Sequence, residues 1–407
     1  MRPLPILFFT LLLDTISVGL LIPILPALFN DPASSSFLLA GYSVGAQYFI
    51  AGAITAVFGL MQFIAAPILG ELSDAYGRKR LLTIGVAVLA FSNFMFAFGI
   101  GIGSLALLFV SRTLAGLAGA NFSIAQATIA DVSAPEQRAR NFGLIGAAFG
   151  VGFILGPLLG GLIASYFNYA AAPFWFAGCL GLLNVLFVSL FLPETNHDRR
   201  AAKSFTLLKG IRNIKAAMQD AEAAPVYLTS FLYMSGFAFF TSFVGVLLSV
   251  EYGLTEAGIG TFFGIVGACI VVTQVAILPQ AVKRYPERKI MLWGFPVVAL
   301  CVLLYPFMDT ITLLYILIPI MAVPQGLAFA NIASLVSKSV PADRQGAALG
   351  INGSLMALAQ GVIPLLAGAG TGLLGIRLPF VAGALLILSA WYVLFRSVRE
   401  LRRRAQN

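Results

Sequence analysis

One long apolar segment follows another along this chain, and that succession limits what it can fold into. Each segment is close to the roughly 20 residues that a helix needs to cross a bilayer. Inside lipid, every backbone polar group must find its partner within the segment, so runs of this length predict helices. With 59% hydrophobic and 10% charged residues, the chain has far too few charges for a soluble globular protein. We therefore expect an all-α, multi-pass membrane protein.

The apolar segments predict twelve transmembrane helices. The first is longer than the apolar core of a signal peptide and lacks an Ala-x-Ala cleavage pattern, so we expect it to be retained. The three cysteines lie far apart in apolar segments and predict neither a disulfide framework nor a metal site. The predicted spans lie close to residues 4–29, 43–70, 81–100, 105–130, 141–165, 172–192, 225–249, 257–280, 290–307, 311–336, 346–367 and 379–396.

Lysine and arginine are distributed unevenly between the two sides of these spans. With the N-terminus in the cytoplasm, all 25 Lys and Arg except Arg112 and Arg377 fall at cytoplasmic positions. The outer loops then carry acids instead: Asp31, Glu251, Glu256 and Asp309. This positive-inside bias predicts cytoplasmic N- and C-termini in an inner (plasma) membrane. The net charge of +9 is explained by topology, so no nucleic-acid partner is expected, while the basic tail RSVRELRRR predicts contact with membrane lipids.

A single long polar stretch divides the chain into two sets of six spans. We expect an N-terminal six-helix bundle over 1–193, a cytoplasmic linker over 194–223 and a C-terminal bundle with a basic tail over 224–407. APEQRARNFG after span four is echoed by VPADRQGAALG after span ten, which predicts two parallel repeats with binding at their interface. In the linker, Lys209, Arg212 and Lys215 recur every three residues, typical of the basic face of a surface helix. A solvated tether is the alternative.

The loop GELSDAYGRKRLL joins spans two and three. Gly70 and Gly77 allow close packing and a sharp turn, and Asp74 can pair with Arg78, while Lys79 adds an anchor at the inner face. The complete pattern G-x-L-x-D-x-x-G-R-K resembles the signature loop of the major facilitator superfamily. That resemblance implies that Asp74 and Arg78, together with Asp131 at the end of span four, hold the inner gate.

Span four carries Arg112, the one basic residue deep in a predicted span. A buried arginine is costly, so it is usually paired or lines a wet cavity. Arg112 either braces the bundle through hydrogen bonds to carbonyls or takes part in proton coupling. The second role is implied by its resemblance to the superfamily's R-x-x-x-G-x-x-G motif.

Span five carries the stripe GVGFILGPLLGG. Gly152, Gly156 and Gly160 recur every four residues and predict close helix packing, while Pro157 bends the helix. With Gly161, the pattern G-x-x-x-G-P-x-x-G-G resembles the motif of the superfamily's antiporter branch. The resemblance implies export.

Asp14 is a carboxylate in the middle of the apolar stretch FFTLLLDTISVGLLIPILP. Such a residue costs about 2.5–3.5 kcal/mol on insertion scales and is by default a functional candidate. Burial favours the protonated form of a carboxyl group, so Asp14 can bind and release a proton as its exposure changes. A structural hydrogen bond between helices is the alternative.

Four stretches resemble the tetracycline-efflux branch of the superfamily: LDTISVGLLIPILP, LMQFIAAPILGELSDAYGRK, IADVSAPEQRARNFG and GPLLGG. The resemblance implies a proton-coupled exporter that uses Asp14, with Gln62 facing the pathway. This chain departs from that branch at three acidic or basic positions. Ser92 replaces an acid in span three, residues 290–307 contain no acid, and span eight has no His. Fewer membrane charges favour a neutral or lipophilic substrate over a metal-chelated drug.

Other polar and aromatic residues of the spans are candidates for the substrate site, because binding cavities are mostly apolar with a few placed polar groups. A buried amide also needs a partner, which favours amides over single aromatic residues. The candidates are Asn121, Gln126, Tyr233, Phe237, Phe240, Gln274, Gln325, Asn331, Asn352 and Gln360.

These features predict a proton-coupled antiporter that exports an amphipathic organic compound or drug by alternating access. We expect a monomer driven by the proton gradient, with no cofactor and no metal. A proton-linked importer of a sugar, organic acid or lipid-like solute is the first alternative, and a non-transporting receptor or scaffold the second. An enzyme is not expected. GYSVG fits a nucleophile elbow, but the single histidine, His197, is predicted on the opposite side of the membrane.

Overall fold

The computed structural model describes residues 3–133, 135–196, 209–220, 222–341 and 344–404. Within these ranges twelve helices are long and apolar enough to cross a membrane, which confirms the prediction of twelve spans. They are numbered 1 to 12 in chain order. Their bounds are Pro3–Phe29, Val44–Tyr76, Arg78–Gly101, Leu105–Val132, Gly143–Phe167, Ala172–Phe191, Ala224–Val250, Glu256–Arg284, Glu287–Phe307, Ile311–Lys338, Gln345–Leu374 and Leu378–Glu400.

Several helices continue beyond the predicted apolar segments. Span 2 runs to Tyr76 and the helix that contains span 5 begins at Pro135. These extensions are polar, so hydropathy alone does not detect them, although their backbone hydrogen bonds continue the helix. All the extended ends lie on one side, together with Arg78, Lys338 and the first and last described residues, Pro3 and Arg404. We call this side the basic end, and the side of Asp31, Glu251, Glu256 and Asp309 the acidic end.

Three spans are interrupted near the middle of the bundle. Span 1 breaks at Leu20 between the helices Pro3–Gly19 and Leu21–Phe29. Span 4 breaks between Leu105–Ala118 and Asn121–Val132, and span 8 contains a π-helical turn, Thr273–Ile277. Broken helices leave backbone groups free to bond to side chains of neighbouring helices. The Gln62 side chain donates to the carbonyl of Gly119 at the span 4 break, at 3.1 Å.

The two halves of the chain are structurally similar at corresponding sites. Gln62 of span 2 bonds to span 4, and Gln274 of span 8 donates in the same way to the Gly326 carbonyl of span 10, at 3.0 Å. The basic ends of spans 3 and 4 are joined by an ion pair, and so are those of spans 9 and 10. These matching bonds agree with the internal repeat predicted from the loops.

The halves pack against each other through spans 2 and 11 and through spans 5 and 8, and both contacts include close backbone approaches near the acidic end. A Cβ added to Gly372 would lie 2.9 Å from the Cα of Gly45. A Cβ added to Gly161 would lie 3.0 Å from the Cα of Gly260. Backbone approach this close requires glycine.

Between the halves, Lys209–Ala217 forms the predicted short helix, with Arg212 and Lys215 exposed. We call it the linker helix. His197 and the rest of 197–208 lie outside the described residues.

Candidate functional site

A cavity of about 1530 Å³ separates the two halves and opens at the basic end. Near the opening, a Cβ added to Gly143, Gly146, Gly350 or Gly353 would meet no atom within 4 Å. The opposite end is closed by the glycine contacts of spans 2, 5, 8 and 11. Most of the cavity wall is apolar, with a few charged and amide side chains, as is typical of a binding site for small molecules.

Asp14 lies in the wall of this cavity and is buried, with 6% of its surface exposed. Its Oδ2 accepts a hydrogen bond from Asn121 Nδ2 at 2.9 Å. No basic side chain of a described residue lies within 4.0 Å of its carboxylate. Asp14 is therefore a buried carboxylate stabilised by one neutral donor, an arrangement in which either protonation state can be accommodated.

Asn121 is held in place by span 3. The amide is fully buried at the break of span 4, and a Cβ added to Gly85 would collide with its Oδ1. Asn121 is not among the residues that line the cavity, and its side chain is bonded to Asp14. The glycine at position 85 is what allows that amide to fit.

Arg112 also lines the cavity, and it is 5% exposed. Its guanidinium lies over the Phe58 ring, with Cζ 4.9 Å from the centroid, and its buried Nε has no hydrogen-bond partner. Among the described residues no carboxylate lies within 4.0 Å and no carbonyl accepts a bond from it. In the part of the chain that the structure describes, the contact recorded for this cation is thus the Phe58 face, and its two predicted roles both stay open.

At the basic end, Arg78 joins spans 2, 3 and 4. Its guanidinium pairs with Asp74 at 2.5 Å and with Asp131 at 3.0 Å, and also donates to Ser73 Oγ at 2.5 Å. The sharp turn before it uses Gly77 with φ of +99°, a conformation that favours glycine. Gly70 has open space around it and lines the cavity, so close packing is not its role here. Lys79 is half-buried at the start of span 3.

Glu194, which follows span 6, completes this cluster and was not found from the sequence. Its Oε1 accepts hydrogen bonds from the backbone N–H groups of Arg78, Thr195 and Asn196 at 2.9–3.0 Å. Asn196 in turn donates to the Asp74 carbonyl at 2.8 Å. The only sequence signal was a polar PETN run directly after an apolar span, which is typical of any loop.

The glycine stripe of span 5 packs on two different helices. Cβ atoms added to Gly152, Gly156 and Gly160 would lie 2.6–2.8 Å from atoms of span 1. Gly156 and Pro157 face Gly19, while Gly161 faces span 8. This stripe therefore positions the helix that carries Asp14.

A family model confirms what these motifs indicate. The model described as Major Facilitator Superfamily matches residues 7–278 and 226–407. The chain belongs to the major facilitator superfamily. It is a multi-pass membrane transporter, not an enzyme, and in a bacterium the membrane concerned is the inner one.

Relatives within the superfamily include two bacterial resistance proteins. The class C tetracycline resistance protein of Escherichia coli is 29% identical over 372 residues, which cover 86% of this chain and 84% of the relative. The quinolone resistance protein NorA of Staphylococcus aureus (strain MRSA252) is 29% identical, with 89% and 88% covered. The crystal structure of the human organic anion transporter MFSD10 (TETRAN) has a TM-score of 0.74 at 25% identity, with 97% and 99% covered.

The predicted substrate contacts fall into two groups, those that line the cavity and those that do not. Gln62, Gln126, Gln274, Asn352 and Gln360 line it. The Asn352 Oδ1 accepts a bond from Ser230 Oγ at 2.5 Å.

The other candidates do not line the cavity and belong to the packing of the C-terminal half. Tyr233 stacks on Phe295 with centroids 4.3 Å apart, and its hydroxyl bonds to Gln325. Phe240 packs edge-on against Tyr305, and Asn331 donates to its own helix at the Leu327 carbonyl. Phe237 is half-buried against Phe240 and Phe329. Residue type alone does not reveal which face of a span meets the cavity.

Proposed function

We propose that this transporter exchanges protons for an amphipathic organic compound and exports that compound by alternating access. The observation that carries the proposal is Asp14. It is a buried carboxylate in the wall of a large cavity, with one neutral hydrogen bond and no cationic partner among the described residues. A carboxyl group in this setting can take up a proton from one side and release it to the other as its exposure changes.

The direction of loading is supported by the charge pattern. The positive-inside rule assigns the basic end to the cytoplasm. The cavity opens at that end, so its walls are in contact with the compartment from which an exporter loads its substrate. Gly45, Gly52, Gly161 and their partners then form the closed outer side.

Antiport requires that substrate and proton exclude each other. A substrate that places a cationic or hydrogen-bond-donating group at Asp14 competes with the proton for that carboxylate. One elementary charge moving through 100 mV supplies about 2.3 kcal/mol, so the proton gradient is a sufficient source of free energy and no cofactor is required. The two bacterial relatives are named for resistance to tetracycline and quinolones, which supports an exporter of drug-like compounds.

Transport against imposed pH gradients tests this proposal. In proteoliposomes with the basic end outward and an acidic lumen, an antiporter accumulates substrate in the lumen as protons leave. The compounds to be tested are tetracycline, norfloxacin and 4-phenylbutyrate. Accumulation that requires the acidic lumen supports the proposal, and accumulation that requires acid outside contradicts it.

A second candidate, proton-linked symport of an organic acid, is favoured by Arg112. An unpaired buried guanidinium is complementary to a carboxylate. An ionised Asp14 would repel that carboxylate, so protonation and substrate binding would promote each other, and both would move in the same direction. MFSD10, named an organic anion transporter, supports this substrate class. Transport of 4-phenylbutyrate driven by external acid would identify this candidate.

A further inference from the structure

The cavity has a second opening, toward the side of the bundle between spans 5 and 8. Val271 and Val275 of span 8 line the cavity although 42% and 74% of their surfaces are exposed. Across the gap, Gly146 and Ala147 of span 5 also line the cavity and are exposed. These residues border the cavity and are also exposed. They therefore lie at a rim between the cavity and the lipid-facing surface of the bundle.

Among the described residues, the close contacts between spans 5 and 8 lie in the acidic-end halves of the two helices. There, Gly161 lies against Gly260, and Ile154 lies against Gly267. Further toward the basic end, Gly150, Gly146 and Gly143 of span 5 have no neighbouring atom within 4 Å of an added Cβ. The π-helical turn Thr273–Ile277 lies at this level of span 8, and its Gln274 is bonded to span 10 instead of to span 5.

The opening lies at the depth of acyl chains. Val275 is nine residues from Arg284, the last residue of span 8, which corresponds to about 14 Å of helix. A hydrocarbon core about 30 Å thick therefore places Val275 near the middle of the bilayer, on the basic-end side. The described rim residues, Val271, Val275, Gly146 and Ala147, are all uncharged, so apolar groups can pass them without meeting a charge.

The equivalent gap on the other side of the molecule is covered. The linker helix packs across spans 2 and 11, where its Gly210 lies against the Phe63 ring with an added Cβ 3.1 Å away. Ala217, at its end, forms part of the cavity wall. None of the described cavity residues of spans 2 and 11 is a large apolar side chain that is mostly exposed. Of the two lateral gaps in the described part of the chain, the one between spans 5 and 8 is thus the open one.

We propose that the gap between spans 5 and 8 is a lateral portal through which the amphipathic substrate enters from the adjacent lipid leaflet. This inference rests on the proposed function and adds an entry route to it. The substrate's apolar body passes the valine and glycine rim, and its polar group reaches the amides, Asp14 and Arg112 inside. The basic-end opening provides a separate aqueous route, so the two routes can be tested independently.

The test compares two maleimides that reach a cavity cysteine by different routes. Cys179, Cys269 and Cys301 are replaced by serine or alanine, and Ser354→Cys places one thiol in the cavity wall on span 11, far from the portal. N-(1-pyrenyl)maleimide partitions into the bilayer, whereas a sulfonated maleimide stays in water. Labelling rates are measured in proteoliposomes for each reagent.

Portal substitutions have a closely matched control. Val275→Trp, or Ala147→Trp from the opposite rim, fills the gap. Val272→Trp places the same bulk on the same helix at a lipid-exposed position (58% exposed) that does not line the cavity. We expect Val275→Trp to slow pyrenylmaleimide labelling about tenfold, with Val272→Trp within twofold of the parent and the sulfonated reagent unaffected in all variants.

Two results would overturn the portal. One is pyrenylmaleimide labelling that proceeds equally fast in Val275→Trp, Ala147→Trp and Val272→Trp. The other is slowing of both reagents together, which would show entry through the aqueous opening. Because labelling needs no transport, the same comparison made with Asp14→Asn separates the portal from the proposed coupling. If Asp14→Asn abolishes coupled transport but Val275→Trp still slows pyrenylmaleimide labelling, the portal does not depend on the coupling. If coupled transport proceeds but Val275→Trp does not slow labelling, the portal fails and the proposed function does not.

Discussion

Among the described residues, one amide is hydrogen-bonded to Asp14, and a glycine on a neighbouring helix leaves the space that this amide occupies. The Asn121 donor satisfies one carboxylate oxygen, and Gly85 leaves room for the amide. Removing a hydrogen bond to a charged group costs about 1.5–3 kcal/mol. A change that moves Asn121 therefore alters the protonation equilibrium of Asp14 without altering Asp14 itself.

Gly85→Ala tests this dependence. The added methyl group displaces the Asn121 amide, and we expect proton-coupled transport to fall at least tenfold while the protein still folds. Gly346→Ala, at a position with open space outside the cavity lining, is the control and should transport within twofold of the parent. Equal transport by both variants would show that the Asn121 bond does not matter for coupling.

Sequence reasoning placed residues at the cavity most reliably where the cost of burying a charge marked them. Asp14 and Arg112 stood out because a charge in an apolar span is expensive, and both line the cavity. Tyr233 and Gln325 carried no such mark, and they satisfy each other inside the C-terminal half. Glu194 was missed because its bond from the Arg78 N–H joins positions 116 residues apart and forms at the turn of Gly77.

Span 1 is positioned by backbone packing against span 5. A Cβ added to Gly156 would lie 2.8 Å from both the Gly19 Cα and the Ile16 carbonyl oxygen, and backbone atoms cannot move aside as side chains do. We expect Gly156→Ala to destabilise the protein by about 1–3 kcal/mol through overpacking. Thermal unfolding in detergent measures this, with Gly346→Ala unchanged or slightly more stable. A Gly156→Ala protein as stable as the parent would contradict the close packing.

Corresponding ion pairs brace the two halves with opposite polarity. In the N-terminal half the cation Arg78 begins span 3 and Asp131 ends span 4, whereas Glu287 begins span 9 and Lys338 ends span 10. The Arg78 side chain is 8% exposed, but that of Lys338 is 63% exposed. Burial makes the first pair the stronger contributor.

Neutralising the acid of the N-terminal pair should therefore destabilise the protein more than neutralising the acid of the C-terminal pair. We expect Asp131→Asn to lower the free energy of unfolding by about 1.5–3 kcal/mol, because a buried guanidinium loses a charged acceptor. Glu287→Gln should cost less than about 1 kcal/mol. Thermal melts of both variants in one detergent give the comparison, and the reverse ranking would refute the burial argument.

Hydropathy predicted the presence of the helices more accurately than where they end or which of their faces meets the cavity. Whether a segment is apolar over about 20 residues is a local property, so the twelve spans were all found. The breaks in spans 1, 4 and 8 also involve partners in other helices, as with Gln274 and Gly326, and hydropathy does not mark them.

The orientation of the whole molecule in the membrane decides which compartment the cavity opens to. The described spans put Arg80 at the basic end and Ala33 at the acidic end, both exposed. In a background without native cysteines, we expect Arg80→Cys to react with a membrane-impermeant maleimide only after intact cells are permeabilised. Ala33→Cys should react in intact cells. The opposite pattern would place the cavity opening outside and reverse the direction of loading.

The central claim is that Asp14 couples protons to substrate, and proton release from oriented proteoliposomes tests it most directly. A pH gradient is imposed, a panel of lipophilic compounds is added, and the parent is compared with Asp14→Asn. We expect at least one compound to discharge the gradient in the parent and not in Asp14→Asn. Equal discharge by both would make Asp14 structural, and no discharge by any compound would contradict proton antiport.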